Sequence, residues 1–262
     1  MPENLKIELI QTHLYWEDAA ANLNHFSQKI NSITHETDII VLPEMFTTGF
    51  TMKPSILAEE TDGQGIQWMI KTAALKQSVI TGSISVKENG NYYNRLYWVF
   101  PDGKYQSYDK RHLFRMGNEH LHYSAGQEKL IIEYKGWKIC PLVCYDLRFP
   151  VWSRNTRENT YDVLIYVANW PAVRSYPWKQ LLIARAIENQ SYVVGVNRIG
   201  EDGNQIPHSG DSCVISPKGE LLSKDCAFDD TIISYELNYK DLFDFRIQFP
   251  AIMDADNFNV IV

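Results

Sequence analysis

Apolar and polar positions change their spacing repeatedly along this chain, and the changes mark its elements. Lys6 to Gln11 reads as a strand. From Trp16 to Ile33, the apolar residues Trp16, Ala20, Leu23, Phe26, Ile30 and Ile33 recur at the three-to-four-residue interval of an amphipathic helix. Asp38 leads into a short buried strand, Ile39 to Leu42, closed by Pro43. A second helix is predicted over Gly65–Lys76, then strands near Val79–Val86, Tyr93–Phe100 and Tyr105–Tyr108. The stretch from Tyr108 to Gly126 is irregular and rich in polar residues. Strands resume near Leu130–Tyr134 and Lys138–Val143, followed by a short helix after Pro150 and a buried strand at Val163–Val167. An amphipathic helix over Pro177–Asn189 precedes strands at Tyr192–Asn197, Ser212–Ser216 and Ile232–Glu236.

Helix and strand alternate early, and strands come in pairs later. That mixture predicts an α/β fold with sheets covered by helices, and it favours two sheets packed together over one doubly wound sheet. No repeat, low-complexity tract or Pro/Gly/Ser-rich linker interrupts the pattern, so residues 1–262 are expected to form one domain. A chain of this length buries about 70–75% of the surface that its unfolded form exposes, so it can hold a core without staples. Its last residues are apolar: Phe258, Val260, Ile261 and Val262 are expected to pack on a partner subunit or across the chain's own sheet.

The net charge of −7 argues against a nucleic-acid partner, and no polybasic tract marks an anionic membrane surface. The N-terminal MPENLKIELIQTH lacks a basic segment followed by an apolar run, and nothing approaches the ~20 apolar residues of a membrane span. The reducing cytosol is the expected compartment, with Cys140, Cys144, Cys213 and Cys226 as free thiols.

Three polar residues stand at equivalent places. Glu44 follows the strand IIVLP, Lys110 follows GKYQSY and Cys144 follows KICPLV. Strand ends are where a rigid sheet can aim catalytic groups into a loop-lined cleft. Each has an ordinary reading by itself: a solvated Glu, a surface Lys, a Cys packed as a small apolar residue. Together they supply what acyl transfer through a thiol needs. Cys144 is the candidate nucleophile and Glu44 the base that takes its proton. Lys110 and the backbone N–H of Tyr145 would face the oxyanion. No histidine sits at a comparable strand end; His112 comes nearest. The His-x-His and Cys-x-x-x-Cys spacings of His120, His122, Cys140 and Cys144 fit no common zinc pattern, and no G-x-S-x-G is present.

The segments PEMFTTGF, YDKRHLF and CYDLRFP, in that order, resemble the three signature blocks of the nitrilase, or carbon–nitrogen hydrolase, superfamily. NWP at Asn169–Pro171 and ARAIENQ at Ala184–Gln190 are similar to further blocks. The resemblance implies a four-layer α-β-β-α sandwich, no metal, no organic cofactor and a homodimer. It also implies a second active-site carboxylate, which matches Glu119 in GNEHLHYSAG. The wording is most similar to omega-amidases, which remove the terminal amide of short 2-oxo-dicarboxylic monoamides such as 2-oxoglutaramate and 2-oxosuccinamate. Nitrile or N-carbamoyl hydrolysis shares the same catalytic set, and a non-catalytic binding protein on this fold is the remaining alternative. A half-amide carries a distal carboxylate that needs a cation. Arg174 in NWPAVR is the expected partner, Phe50 and Trp170 the expected pocket walls. Arg148, two residues from Asp146, is expected to pair with that carboxylate structurally.

Overall fold

The computed structural model describes residues 1–158, 160–256 and 258–260. Its strands are β1 (Leu5–Gln11), β2 (Ile39–Val41), β3 (Glu59–Glu60), β4 (Val79–Glu88), β5 (Asn91–Val99), β6 (Tyr105–Asp109), β7 (Ile132–Tyr134), β8 (Trp137–Val143), β9 (Val163–Ala168), β10 (Tyr192–Asn197), β11 (Ile199–Glu201), β12 (Pro207–Ser209), β13 (Cys213–Ile215) and β14 (Thr231–Leu237). Its α-helices are α1 (Ala19–Asn31), α2 (Pro54–Leu57), α3 (Gln64–Lys76), α4 (Pro150–Ser153), α5 (Ser175–Asn189) and α6 (Tyr239–Gln248). One sheet runs β14-β1-β2-β4-β5-β6, with β3 added beside β4; the other runs β13-β10-β9-β8-β7.

Alternation along the first sheet explains why there are two sheets. Ile7, Leu9, Ile39, Val41, Leu96 and Trp98 pack in a core shared with the second sheet. Their neighbours in sequence, Ile10, Ile40, Ile80, Tyr97 and Val99, share the opposite core with Phe26 and Ile30 of α1 and Ile66, Met69 and Ala73 of α3. Both faces are therefore apolar, and each must be covered. The second sheet buries its strands against the first and against Trp178, Leu182 and Ala186 of α5. The layers follow the order α-β-β-α, as the resemblance implied. Each such buried side chain contributes roughly 1.5–3 kcal/mol.

The strands β1, β2 and β4 are mutually parallel, as are β8, β9 and β10. Two antiparallel steps, β4 to β5 and β5 to β6, return β6 to the direction of β4. The carboxyl ends of β2 and β6 thus lie at one rim of the first sheet. Those of β8, β9 and β10 lie together in the second, which is where α/β folds place their ligands.

Several expectations need correction. The first helix begins at Ala19, not Trp16, because Asp18 caps it by accepting the Ala21 N–H at 2.9 Å. Trp16 instead lies against the loop at Gly203, where a Cβ would come within 2.2 Å of the indole nitrogen. The helix α6 and the β11–β12 hairpin were not read from the sequence. Of the α6 residues only Leu242 is buried, too few to make a periodic stripe, although Asn238 accepting the Asp241 N–H is a capping signal. The tail splits: Phe258 and Val260 are about two-fifths exposed and flank a cleft beside Val151 and Arg154 instead of a sheet, while Ile261 and Val262 lie outside the described residues.

Candidate active site

The stretch from Lys110 to Gly126 follows β6 and folds back on it. Gly126 donates its N–H to the Lys110 carbonyl at 3.0 Å, and a Cβ there would sit 2.1 Å from the Asp109 carbonyl oxygen. Glycine is required for that approach. Inside the loop, short 3-10 turns at Arg115–Gly117 and Glu119–Leu121 turn Glu119 inward, fully buried.

Cys144 ends β8 with φ of +43°, a left-handed conformation that costs a non-glycine residue of order 1–3 kcal/mol and is held by its surroundings. Asp146 does the holding. Its buried carboxylate accepts the Val143 N–H at 3.1 Å, the Tyr108 hydroxyl at 2.7 Å, and both the backbone N–H (3.0 Å) and Nδ1 of His112 (2.7 Å). The ends of β6 and β8 are thereby joined across the sandwich, which fixes Lys110 relative to Cys144. His112, whose ring also stacks on Phe149 at 3.8 Å, is committed to this latch rather than to the base position.

The three sequence candidates and Glu119 meet. Lys110 Nζ lies 2.8 Å from Glu44 Oε1 and 3.0 Å from each carboxylate oxygen of Glu119, and none of the three side chains reaches solvent. Glu119 also accepts the Phe114 N–H at 2.6 Å. Glu44 Oε2 accepts the Asn169 N–H at 2.8 Å, and the buried Cys144 thiol lies near enough to Glu44 to feel its charge. Two residues here escaped the sequence reading as site residues: Asn169, known only as part of the NWP block, and Asn94 of β5, whose Nδ2 donates to Glu44 Oε1 at 2.8 Å and to Glu119 Oε1 at 3.3 Å. Asn94 did leave a signal. It occupies the same face as Leu96 and Trp98, where the alternation calls for an apolar residue.

Burial alone would strip Lys110 of its proton, but Glu119 and Glu44 outweigh it and hold the amine charged. Burial, reinforced by Glu44, raises the affinity of Glu119 for a proton. Cys144 is pushed well above the ordinary thiol range by burial first and by Glu44 second, against the pull of Lys110. The resting sulfur therefore keeps its proton, and a base must remove it during the reaction.

Cys144, Lys110 and Asn169 open into a cavity of about 340 Å³. Phe50, Trp170, Tyr145 and Arg174 line it, and so does Arg148. The structural pairing expected for Arg148 does not form, because Asp146 is already saturated by the latch. Arg148 lies over the Trp170 ring at 5.0 Å and Arg174 over Phe114 at 5.4 Å. Among the described residues neither arginine forms an ion pair. The β11–β12 hairpin adds a wall the sequence did not reveal, including Ile206 and His208. His208 is kept neutral, pushed down to about 4 by burial and by Arg198. His13, His25 and Asp230 bring potential ligand atoms within 4.8 Å of one another, but Thr12 bonds His25 and Lys29 pairs with Asp230.

A thiol, an ammonium and two carboxylates buried at the strand ends of an α-β-β-α sandwich define a carbon–nitrogen hydrolase of the amidase kind. The chain belongs to the carbon-nitrogen hydrolase family, whose model matches residues 6–246. It is 50% identical over 256 residues to the omega-amidase YafV of Escherichia coli (strain K12), covering 98% of each chain. To the 2-oxoglutaramate amidase of Bacillus subtilis (strain 168) it is 33% identical, covering 95% of this chain and 96% of that one. Among solved structures, XC1258 of Xanthomonas campestris, a CN-hydrolase superfamily protein with an arsenic adduct in the active site, superposes with a TM-score of 0.96 at 42% identity, covering 98% of this chain and 99% of the other.

Proposed function

We propose that this amidase is an omega-amidase that releases ammonia from 2-oxoglutaramate or 2-oxosuccinamate. The observation that carries the reading is the pair Arg148 and Arg174, two guanidiniums without a carboxylate partner on the walls of the cavity into which Cys144 opens. Unpaired cations in a largely apolar cavity favour a ligand bearing a carboxylate. The names of the relatives above agree with it.

In this mechanism Glu44 takes the Cys144 proton and the sulfur adds to the amide carbonyl. The oxyanion is met by Lys110 and by the Tyr145 N–H, which belongs to the first turn after Cys144, where N–H groups lack acceptors within the helix. Glu44 returns the proton to the nitrogen, ammonia leaves, and a thioester remains. Water deprotonated by Glu44 then releases the dicarboxylic acid. Glu119 orients Lys110 beside Glu44. No step in this scheme calls for a metal or cofactor.

Residues 1–262 would act as one catalytic domain and as a homodimer, with the exposed apolar side chains of Val151, Phe249, Met253 and Phe258 covered by a second copy. A cytosolic setting fits four buried, unpaired thiols.

Ammonia release across a panel of half-amides, uncharged amides of equal length, nitriles and N-carbamoyl compounds tests the function. Four- and five-carbon half-amides are expected to give the highest kcat/KM. Faster turnover of a nitrile or carbamoyl substrate would transfer the assignment to that chemistry.

A further inference from the structure

Two carboxylates share one cation at the centre of this site, and that arrangement needs something more to hold it. Glu44 Oε1 and Glu119 Oε1 both lie within 3.0 Å of Lys110 Nζ, so two anionic oxygens crowd a single ammonium with no access to water. Burial and the like charge of Glu44 raise the affinity of Glu119 for a proton. The groups that face the pair are Lys110, the Cys144 thiol and the hydroxyl of Tyr123, and the hydroxyl is itself engaged by Ser85 and the Thr51 carbonyl, each at 3.0 Å. Among the described residues, Lys110 is thus the one cation at hand.

Asn94 supplies the missing donor. Its Nδ2 carries two hydrogens and meets the same two oxygens that meet Lys110, while its backbone carbonyl accepts the Lys110 N–H at 2.9 Å. The amide orientation follows from the partners, since the reverse would set its oxygen against two carboxylates. Asn94 is fully buried within a central strand, and its Oδ1 has no partner. A buried unsatisfied carbonyl costs about 1–3 kcal/mol, a penalty an apolar residue at this position would avoid. What an apolar residue there could not supply is a donor to the two carboxylates.

We propose that Asn94 is a positioning residue that clamps Glu44 and Glu119 around Lys110, and that its donor sets how acidic the medium can become before a proton on Glu119 loosens the clamp and Cys144 activation stops. The inference rests on Glu44 as the proton acceptor in the proposed mechanism. Asn94 does not line the cavity, so its loss leaves substrate binding alone.

The test is the pH profile of kcat/KM for wild type, Asn94→Leu, Asn94→Ser, Glu44→Gln and the double variant Asn94→Leu/Glu119→Gln. Asn94→Leu and Asn94→Ser should move the acid limb upward by about one pH unit, the order of effect a lost hydrogen bond to a carboxylate has. Activity then falls roughly tenfold on the acid limb with KM near wild type. In the Glu119→Gln background the shift should vanish, because no second anion remains to be held. A chain that folds with Asn94→Leu only when Glu119→Gln accompanies it supports the same conclusion. An unmoved acid limb in whichever Asn94 variant folds, beside an inactive Glu44→Gln, overturns the role of Asn94 alone. Full turnover in Glu44→Gln removes the base on which it rests, and both fall.

Discussion

Glu44 and Asn169 hold each other twice: the Asn169 N–H meets Glu44 Oε2 at 2.8 Å, and the Asn169 side-chain amide donates back to the Glu44 carbonyl. One residue follows β2 of the first sheet and the other follows β9 of the second, so the base is aimed by the opposite layer. Asn169→Ala keeps the backbone bond and loses the other, a cost of about 1–3 kcal/mol for a buried hydrogen bond. Thermal melting should show a loss of about 2–4 °C for each kcal/mol. The variant should also turn over more slowly. An unchanged Tm would mean that the link between sheets carries no stability.

Turnover should depend on one thiol. Cys144→Ala is expected to abolish ammonia release, while Cys140→Ala, Cys213→Ala and Cys226→Ala retain it and lose only stability. Burial pushes these three thiols up to about 12, 12 and 11, as it raises Cys144, but none of them lines the cavity or has Glu44 beside it to take its proton. Activity in Cys144→Ala would end the thioester mechanism.

The two carboxylates should separate by the step each supports. Mass spectrometry of enzyme mixed with substrate should show no acyl adduct in Glu44→Gln. Glu119→Gln should form it more slowly than wild type, because Lys110 and the Phe114 N–H lose an anionic acceptor. An adduct in Glu44→Gln at the wild-type rate would assign proton removal to another group.

The pH dependence of alkylation reads the resting state of Cys144. Its proton affinity is raised by burial and by Glu44, so the reactive thiolate becomes more abundant only as pH rises. Inactivation by iodoacetamide should therefore keep accelerating through neutral pH into the alkaline range. A plateau below pH 7 would reveal a preformed thiolate and remove the need for a base.

The arginines should control substrate choice. A charge-assisted hydrogen bond contributes about 1.5–3 kcal/mol, so Arg148→Ala and Arg174→Ala should each lower kcat/KM for half-amides by about 10- to 100-fold. Uncharged amides should be affected less. If neither variant narrows the preference, the distal carboxylate is read elsewhere.

How much of this was legible beforehand follows from what each residue depends on. Glu44, Lys110 and Cys144 stood out because each follows a strand with its own local pattern, and the mixture of helices and strands pointed to sheets covered by helices, while the four layers came from the family resemblance. Glu119 could be placed only through the family resemblance, since its loop has no periodicity. Pairings between distant elements were not encoded in any local pattern. Asp146 takes partners from β6, β8 and the loop at His112, and that saturation frees Arg148 to line the cavity beside Trp170, against its sequence-based pairing. Asn94 drew no notice within its predicted strand, because only the fold brings it between two carboxylates on different loops. The sequence by itself determined which residues could do the chemistry, because strand ends and apolar period are local properties. The tertiary structure decided what charge those residues carry and which cation remains unpaired, because burial and ion pairing depend on neighbours distant along the chain.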